Sequence, residues 1–324
     1  MNEVQGRKLT WPIFLEIVEI RTKIASIFPF LIGVLFSLSY FQQIQLGYTC
    51  LFFIGMFIFD MTTTAINNYM DYQKAKSDVY KYTENVIGRE QLAPQTIRRL
   101  IYGMLAITAI IGFTLSFLTG WLLLVMGGLA CLVGIFYTFG PIPLSRMPLG
   151  ELFSGVTMGL GIFVMTVYIN TVNHPPFFLA VDFTMGTFRL TGNLWQSLAI
   201  VLAAVPLVLT IANIMLANNL RDLDVDIQNH RYTLVYYIGR EQGIFLFQLA
   251  MLAAYVVLLI GWPFHVFHWQ QLVVFGTFPF IRKNLRAFKQ TLPHPKSFGY
   301  AIKNMIIFNS AYAATLLLTL LMKK

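Results

Sequence analysis

Asn67-Asn68-Tyr69-Met70-Asp71 and Asn218-Asn219-Leu220-Arg221-Asp222 are two copies of one pattern. Each is followed by a second shared stretch, Ile87-Gly88-Arg89-Glu90-Gln91 after the first and Ile238-Gly239-Arg240-Glu241-Gln242 after the second. The spacing from 67 to 218 equals the spacing from 87 to 238. Two matches locked at one offset are hard to obtain by chance, so the chain reads as an internal duplication. Both copies stand just past a long apolar run, and those runs settle the class of fold.

The 324 residues are 57% hydrophobic and only 11% charged, with a mean hydropathy of +0.66. Soluble domains carry roughly 25% charged residues, so there is too little polar surface here to cover a globule in water. Apolar runs near the ~20 residues that cross a hydrocarbon layer recur along the chain. In lipid such runs satisfy their backbone groups only as helices. The pattern predicts helices at 23–41, 47–70, 100–118, 121–138, 149–170, 195–217, 243–261, 264–281 and 300–321. The expected fold class is all-α: a polytopic membrane bundle of about nine transmembrane helices with an internal parallel repeat. One transmembrane domain covers 1–324, its repeat halves running over about 20–145 and 146–321. No compact apolar core with a small-residue cleavage site opens the chain, so no cleaved leader is expected. Cys50 and Cys131 both lie within apolar runs, which points away from a disulfide or a cysteine-based zinc site.

A formal charge of +9 raises nucleic acid as a partner, and its placement argues against one. With these helices, 20 of the 23 basic residues fall on one side, and only Arg189, Lys323 and Lys324 on the other. By the positive-inside rule the N-terminus and the loops after helices 2, 4, 6 and 8 face the cytoplasm. Membrane lipid is then a partner, the cytoplasmic membrane the location, and no nucleic acid is involved.

Between the spans, residues 10–21 place Trp11, Phe14, Leu15 and Val18 on one face, as an interfacial helix would. Arg21 and Lys23 mark the membrane boundary. Asp60 lies inside an apolar run, where an acid is a functional-site candidate by default but can equally bond a neighbouring helix, and it is left out of the site. Long polar loops are expected over 72–99 and 218–242, an external loop over 171–194, and a basic, orienting loop over 282–299. His265 and His268 flank Trp269 far from the acids and lack carboxylate company for a metal.

Asn67 and Asp71 stand four apart, and Asp78 shares their face if the helix continues; Asn218, Asp222 and Asp226 repeat every four and share a face, while Asp224 points away. Two stations of hard oxygen ligands thus stand at the cytoplasmic mouths of their helices. They suit Mg2+, which takes one or two carboxylates and completes its shell with water and phosphate oxygens. Lys74, Lys76, Lys81, Arg89, Arg221 and Arg240 surround them. The combination is a pocket for a phosphate-bearing ligand bridged by Mg2+. No glycine-rich nucleotide loop is present, which argues against a nucleoside triphosphate.

These residues resemble the UbiA superfamily of intramembrane polyprenyltransferases, which carry two Asp-rich motifs, after helix 2 and after helix 6, in a nine-helix bundle. Three stretches are similar to its 1,4-dihydroxy-2-naphthoate polyprenyltransferases of menaquinone synthesis: Asn218 to Asp222, Phe136 to Leu144 with Gly150-Glu151-Leu152-Phe153, and Glu19-Ile20-Arg21-Thr22. The resemblance implies that Mg2+ ions bind the diphosphate of an isoprenoid chain, that the allylic C–O bond ionises, and that an electron-rich ring attacks. Loss of the acceptor's carboxylate then gives demethylmenaquinone. It also implies that Asn67, Asp71 and Asp78 serve the first Mg2+ and Asn218, Asp222 and Asp226 the second. Lys74, Arg89 and Arg221 would grip the polyprenyl diphosphate; Arg21 and Tyr137 would meet the aromatic acceptor. Asp71 and Asp78 are seven apart where many members space these acids by four or six, so Asp78 is a ligand only if that segment leaves the helix. Two alternatives stand beside this reading. One is the same chemistry on 4-hydroxybenzoate, protohaem or another ring; the other is a secondary transporter with duplicated halves.

Overall fold

The computed structural model describes residues 7–75, 77–137, 144–228 and 230–322. Lys76, residues 138–143 of the proline-containing stretch, Lys323 and Lys324 lie outside them. Among the described residues, seven helical runs are long and apolar enough to cross a membrane: Ile20–Phe41, Leu46–Lys74, Pro94–Thr119, Gly150–Asn170, Leu194–Gln228, Leu234–Gly261 and Pro295–Met322. The chain is an integral membrane protein. Large side chains such as Phe113, Phe117, Leu129, Phe245 and Leu249 stand exposed on its outside, as a surface bathed in lipid rather than water requires.

The helices are α1 (Trp11–Ile17), α2 (Ile24–Phe36), α3 (Leu46–Lys74), α4 (Val86–Arg89), α5 (Pro94–Thr119), α6 (Trp121–Phe136), α7 (Gly150–Ser154), α8 (Ile162–Asn170), α9 (Leu194–Gln228), α10 (Leu234–Gly261), α11 (Phe278–Thr291) and α12 (Phe298–Met322). Two of the nine expected passages are built differently from the rest. α6 has only 16 residues, a rise of about 24 Å against the ~30 Å of hydrocarbon. The eighth passage starts as a 3-10 helix, Trp269–Thr277, and runs on as α11. Most of the basic stretch expected as a loop over 282–299 is therefore helical.

The polar segments are likewise more ordered than their composition suggests. α9 continues unbroken past Asn218 to Gln228, so the second copy of the pattern rides on helix and the loop expected from 218 shrinks to a turn. The 72–99 segment holds a π-helical turn, Tyr80–Glu84, and α4. The external segment folds into an antiparallel hairpin, β1 (Phe177–Asp182) with β2 (Thr187–Gly192). Asp182 Oδ1 closes its turn by accepting from the Thr184 and Met185 amides at 2.9 and 3.0 Å.

In both halves the helix carrying the Asn-Asn pattern packs along the next long helix, α3 on α5 and α9 on α10. The shared Ile-Gly-Arg-Glu-Gln stretch lies between them, forming α4 in the first half and the opening of α10 in the second. Its glycine is needed twice, for different reasons. A Cβ on Gly88 would sit 1.9 Å from the Lys81 carbonyl oxygen. Gly239 kinks α10 with φ 80, a conformation that costs glycine little.

Three apolar clusters hold the bundle. The largest joins α2, α8, α9, α10, α11 and α12; a second ties Ile13, Ile17 and Val18 to α4 and the near ends of α3 and α5; a third packs α3, α5, α6 and α8. Between them lies a chamber of about 740 Å³ walled by α2, α3, α5, α6, α9 and the segment preceding α8.

Candidate active site

The chamber is two-toned. Most of its wall is apolar, with Phe52, Met56, Phe59, Ile111, Leu115 and Leu123 among the lining residues. One strip is polar: Thr22, Lys23, Asp60, Thr63, Thr64 and Asn67, ending near Tyr137. From Asp60 to Asp71 the polar residues of this strip recur every three or four positions along α3, one face of one helix.

Lys23 is not the boundary anchor its sequence position suggests. It is 3% exposed, and its Nζ donates to the Asp60 carbonyl (3.0 Å), to Asp60 Oδ1 (2.9 Å) and to Thr64 Oγ1 (2.5 Å). Ser26 Oγ completes Asp60 by donating to Oδ2 at 2.6 Å. Three ammonium donors and two carboxylate oxygens are all used. That closure lets a buried ion pair sit in an apolar wall.

In each copy of the pattern the two asparagines divide their work. Asn67 lines the chamber, while Asn68 turns away and donates to the Ile17 carbonyl at 2.8 Å, pinning α1 to α3. Asn218 faces its own station, while Asn219, 1% exposed, donates to Glu151 Oε1 at 2.7 Å and ties α9 to α7. Glu151 Oε2 and Asn219 Oδ1 are buried without a hydrogen-bond partner.

At the first station Asn67 and Asp71 are half-buried on the last turns of α3. The helix ends at Lys74, where Ala75 takes ψ 125, and Asp78 begins a separate turn, exposed. The segment thus leaves the helix before Asp78, the condition under which Asp78 can serve the first station despite its spacing from Asp71. At the second station Asp222 is held by its neighbour: Arg221 Nε donates to Oδ1 at 2.6 Å and Nη2 to Oδ2 at 2.5 Å. The same Nη2 reaches Asn218 Oδ1 at 2.5 Å, and the guanidinium lies 5.0 Å from the Phe298 ring. Asp226 is 3% exposed; its Oδ1 stands 3.4 Å from Arg231 Nη1, and its Oδ2 is buried with no hydrogen-bond partner among the described residues.

Two cations that the repeat does not flag bring the stations together. The charges of Arg231, Arg146 and Lys74 act on Asp71. Those of Arg231, Arg221 and Arg146 act on Asp226, with Asp222 opposing them. Arg231 follows the end of α9, its amide bonded to the Asp226 carbonyl at 2.9 Å, and the next amide, of Tyr232, bonds the Arg146 carbonyl at 3.1 Å. Arg231 Nη2 also reaches the Ser145 carbonyl at 3.5 Å. In the first copy the position matching Arg231 is Tyr80, so the duplication carried no hint of it.

Two of the cations expected around the stations, Arg89 and Arg240, are engaged by other carboxylates. Arg89 is engaged by Glu16 at 2.7 Å and Glu90 at 3.3 Å. Arg240 is taken by Asp224 at 3.0 Å, a carboxylate 67% exposed that keeps both out of the station. Arg21 is exposed on the turn before α2, and Lys74 is exposed at the end of α3. Tyr137 closes α6, its phenol donating to the Gly150 carbonyl at 3.3 Å. Burial pushes that phenol's pKa up, the Glu151 carboxylate adds to the rise, and Arg231 works against it. Among the described residues no group of three or more His, Cys, Asp or Glu side chains assembles to hold a metal unaided.

The sequence profile of the UbiA prenyltransferase family matches residues 26–293, most of the chain. The chain belongs to this family. A UbiA-family chain is a transferase of prenyl groups, which sets the transporter expectation aside. Among curated relatives this UbiA chain is similar to the 1,4-dihydroxy-2-naphthoate octaprenyltransferase of Bacillus subtilis (strain 168), 26% identical over 236 residues, covering 72% of this chain and 68% of the relative. Among solved structures its fold is similar to an apo UbiA homolog from Aeropyrum pernix K1, with a TM-score of 0.64 at 16% identity over 90% of this chain and 97% of that one. It is also similar to a UbiA homolog from Archaeoglobus fulgidus bound to GPP and Mg2+, with a TM-score of 0.60 at 11% identity over 95% and 99%. At these identities the structural likeness establishes the shared bundle.

Proposed function

We propose that this UbiA-family enzyme transfers a polyprenyl group from polyprenyl diphosphate to 1,4-dihydroxy-2-naphthoate, releasing diphosphate and carbon dioxide and giving the quinol form of demethylmenaquinone. The reaction takes place at the cytoplasmic face of the cell membrane, the N-terminus being inside. The observation that carries the reading is a 740 Å³ apolar chamber lined by Asn67 of the first copy, with Arg231 standing 3.4 Å from Asp226 of the second and its charge also bearing on Asp71. The acceptor follows the named activity of the Bacillus relative.

Mg2+ fits the residues present. The donors are hard oxygens from Asp and Asn, and Asp226 Oδ2 has no hydrogen-bond partner among the described residues, which suits an ion that takes only one or two carboxylates. Asn67 and Asp71, with Asp78 from the turn after α3, would hold one ion, and Asn218, Asp222 and Asp226 the other. When bound, such ions draw off the charge of a departing diphosphate and ease cleavage of the allylic C–O bond. The chain's own residues do the rest. Arg231, Arg146 and Lys74 balance phosphate charge that the ions leave over. The apolar wall takes the isoprenoid and keeps water from the electron-poor carbon. Tyr137, its phenol held protonated, orients the ring at the chamber's polar end.

The test is an assay on purified protein or membranes with Mg2+, a polyprenyl diphosphate, and 1,4-dihydroxy-2-naphthoate or 4-hydroxybenzoate. Prenylated, decarboxylated naphthoquinol is the expected product. Prenylation of 4-hydroxybenzoate alone would replace the acceptor, and no product with any ring would overturn the site reading.

A further inference from the structure

On the side of the bundle away from the chamber, α11 carries a second, separate pocket. It encloses about 480 Å³ and is lined by Phe278, Pro279, Arg282, Lys283, Arg286 and Ala287. None of these residues lines the chamber. α11 packs on α12 and on the preceding 3-10 helix, and Phe288 stacks on Phe247 of α10 at 4.2 Å.

The charge of this pocket has no internal answer. No acidic residue follows Glu241 in the sequence. Arg282, Lys283 and Arg286 are exposed, and none is in an ion pair among the described residues. Arg282 and Arg286 are one helical turn apart and point the same way. The opposite stripe of α11, Ile281, Leu285 and Phe288, is buried in the core, so the cations are fixed in place by a packed helix. Their depth is also defined. From Trp269, nine 3-10 residues at ~2.0 Å and the first turns of α11 at ~1.5 Å give about 26–32 Å to Arg282 and Arg286. That is roughly one hydrocarbon thickness from an aromatic that belongs at the far interface. A passage running along the membrane normal would bring the cations to headgroup level, with Phe278, one turn before Arg282, on the acyl-chain side of the pocket.

We propose that this pocket binds the headgroup phosphate of an anionic phospholipid. Arg282 and Arg286 grip the phosphate oxygens, Lys283 adds charge, and Phe278 lies against the acyl chains.

Native mass spectrometry of the full chain in detergent, titrated with dioleoylphosphatidylglycerol or dioleoylphosphatidylcholine, tests this. The anionic lipid is expected to be retained preferentially, and Arg282→Ala with Arg286→Ala to weaken it about 25-fold, from ~fivefold per basic residue. Arg98→Ala with Arg99→Ala removes the same charge from the exposed start of α5 and is expected to leave binding unchanged. Equal retention of the two lipids, equal weakening by both double variants, or displacement of the lipid by inorganic diphosphate would each overturn the proposal. If the alanine double variant does not fold, Arg282→Gln and Arg286→Gln are expected singly to cost about fivefold each. No loss in either would equally overturn it.

Discussion

Lys23 Nζ and Asp60 Oδ1 stand 2.9 Å apart in the wall of the chamber, with Ser26 and Thr64 filling the remaining positions of both groups. Removing either partner strands a charge in an apolar setting. Asp60→Ala is expected to cost about 3–5 kcal/mol of stability, and Lys23→Met with Asp60→Leu to restore most of it. Thermal melting in detergent reads both variants. A single substitution as mild as the double would show that the pair is not buried in the membrane.

The second station predicts a contrast between close neighbours. Asp226 is buried and has a free oxygen, whereas Asp224 is exposed and paired with Arg240. Asp226→Asn is expected to lower turnover at least ~100-fold, the scale of one lost electrostatic group, while Asp224→Ala stays near the parent rate. Product formation under saturating Mg2+ measures both.

Arg231 and Arg89 are expected to separate in kinetics. Arg231→Ala takes a cation from both acid stations and should raise KM for the diphosphate substrate about 10–100-fold, the scale of a charged hydrogen bond. Arg89, held by Glu16 and Glu90 on the α1 side, should change KM little when replaced by Ala. A larger KM effect at Arg89 would move the diphosphate toward α4.

A pH experiment follows from Tyr137. Burial first, then Glu151, raises its phenol above the ordinary 10.0. The neutral form is thus present throughout the working range and is lost only above the ordinary value. Any alkaline fall in rate below pH 10.0 belongs to another group, and Tyr137→Phe should lower the rate without moving that fall.

The apolar runs made the bundle legible, and the four-residue spacing the shared face of the second acid set, because periodicity is a local property of the chain. Asn218, Asp222 and Asp226 share a face as the spacing requires. The same polarity misled where helix outlasts it: α9 runs to Gln228 and α11 to Thr291 because packing of their apolar stripes overrides a charged surface. The hairpin over 177–192 was hidden by its lack of strong alternation, every residue of β2 being exposed. Arg146 and Arg231 were beyond reach for a different reason. Arg146 ends a short 3-10 turn and Arg231 lies in the connection after α9, and the Tyr232 amide bond to the Arg146 carbonyl joins segments far apart in sequence.

The bidentate grip of Arg221 on Asp222 bears on the order in which the station fills. Asp222 is already neutralised by its neighbour on the helix, and Asn218 is drawn to the same guanidinium. Arg221 has to let go before that carboxylate can turn to a dication, and it gains by letting go only if another anion is at hand. A diphosphate is such an anion. Ion and diphosphate should therefore load synergistically, each weak alone, so that an empty station resists stray divalent ions until the isoprenoid arrives.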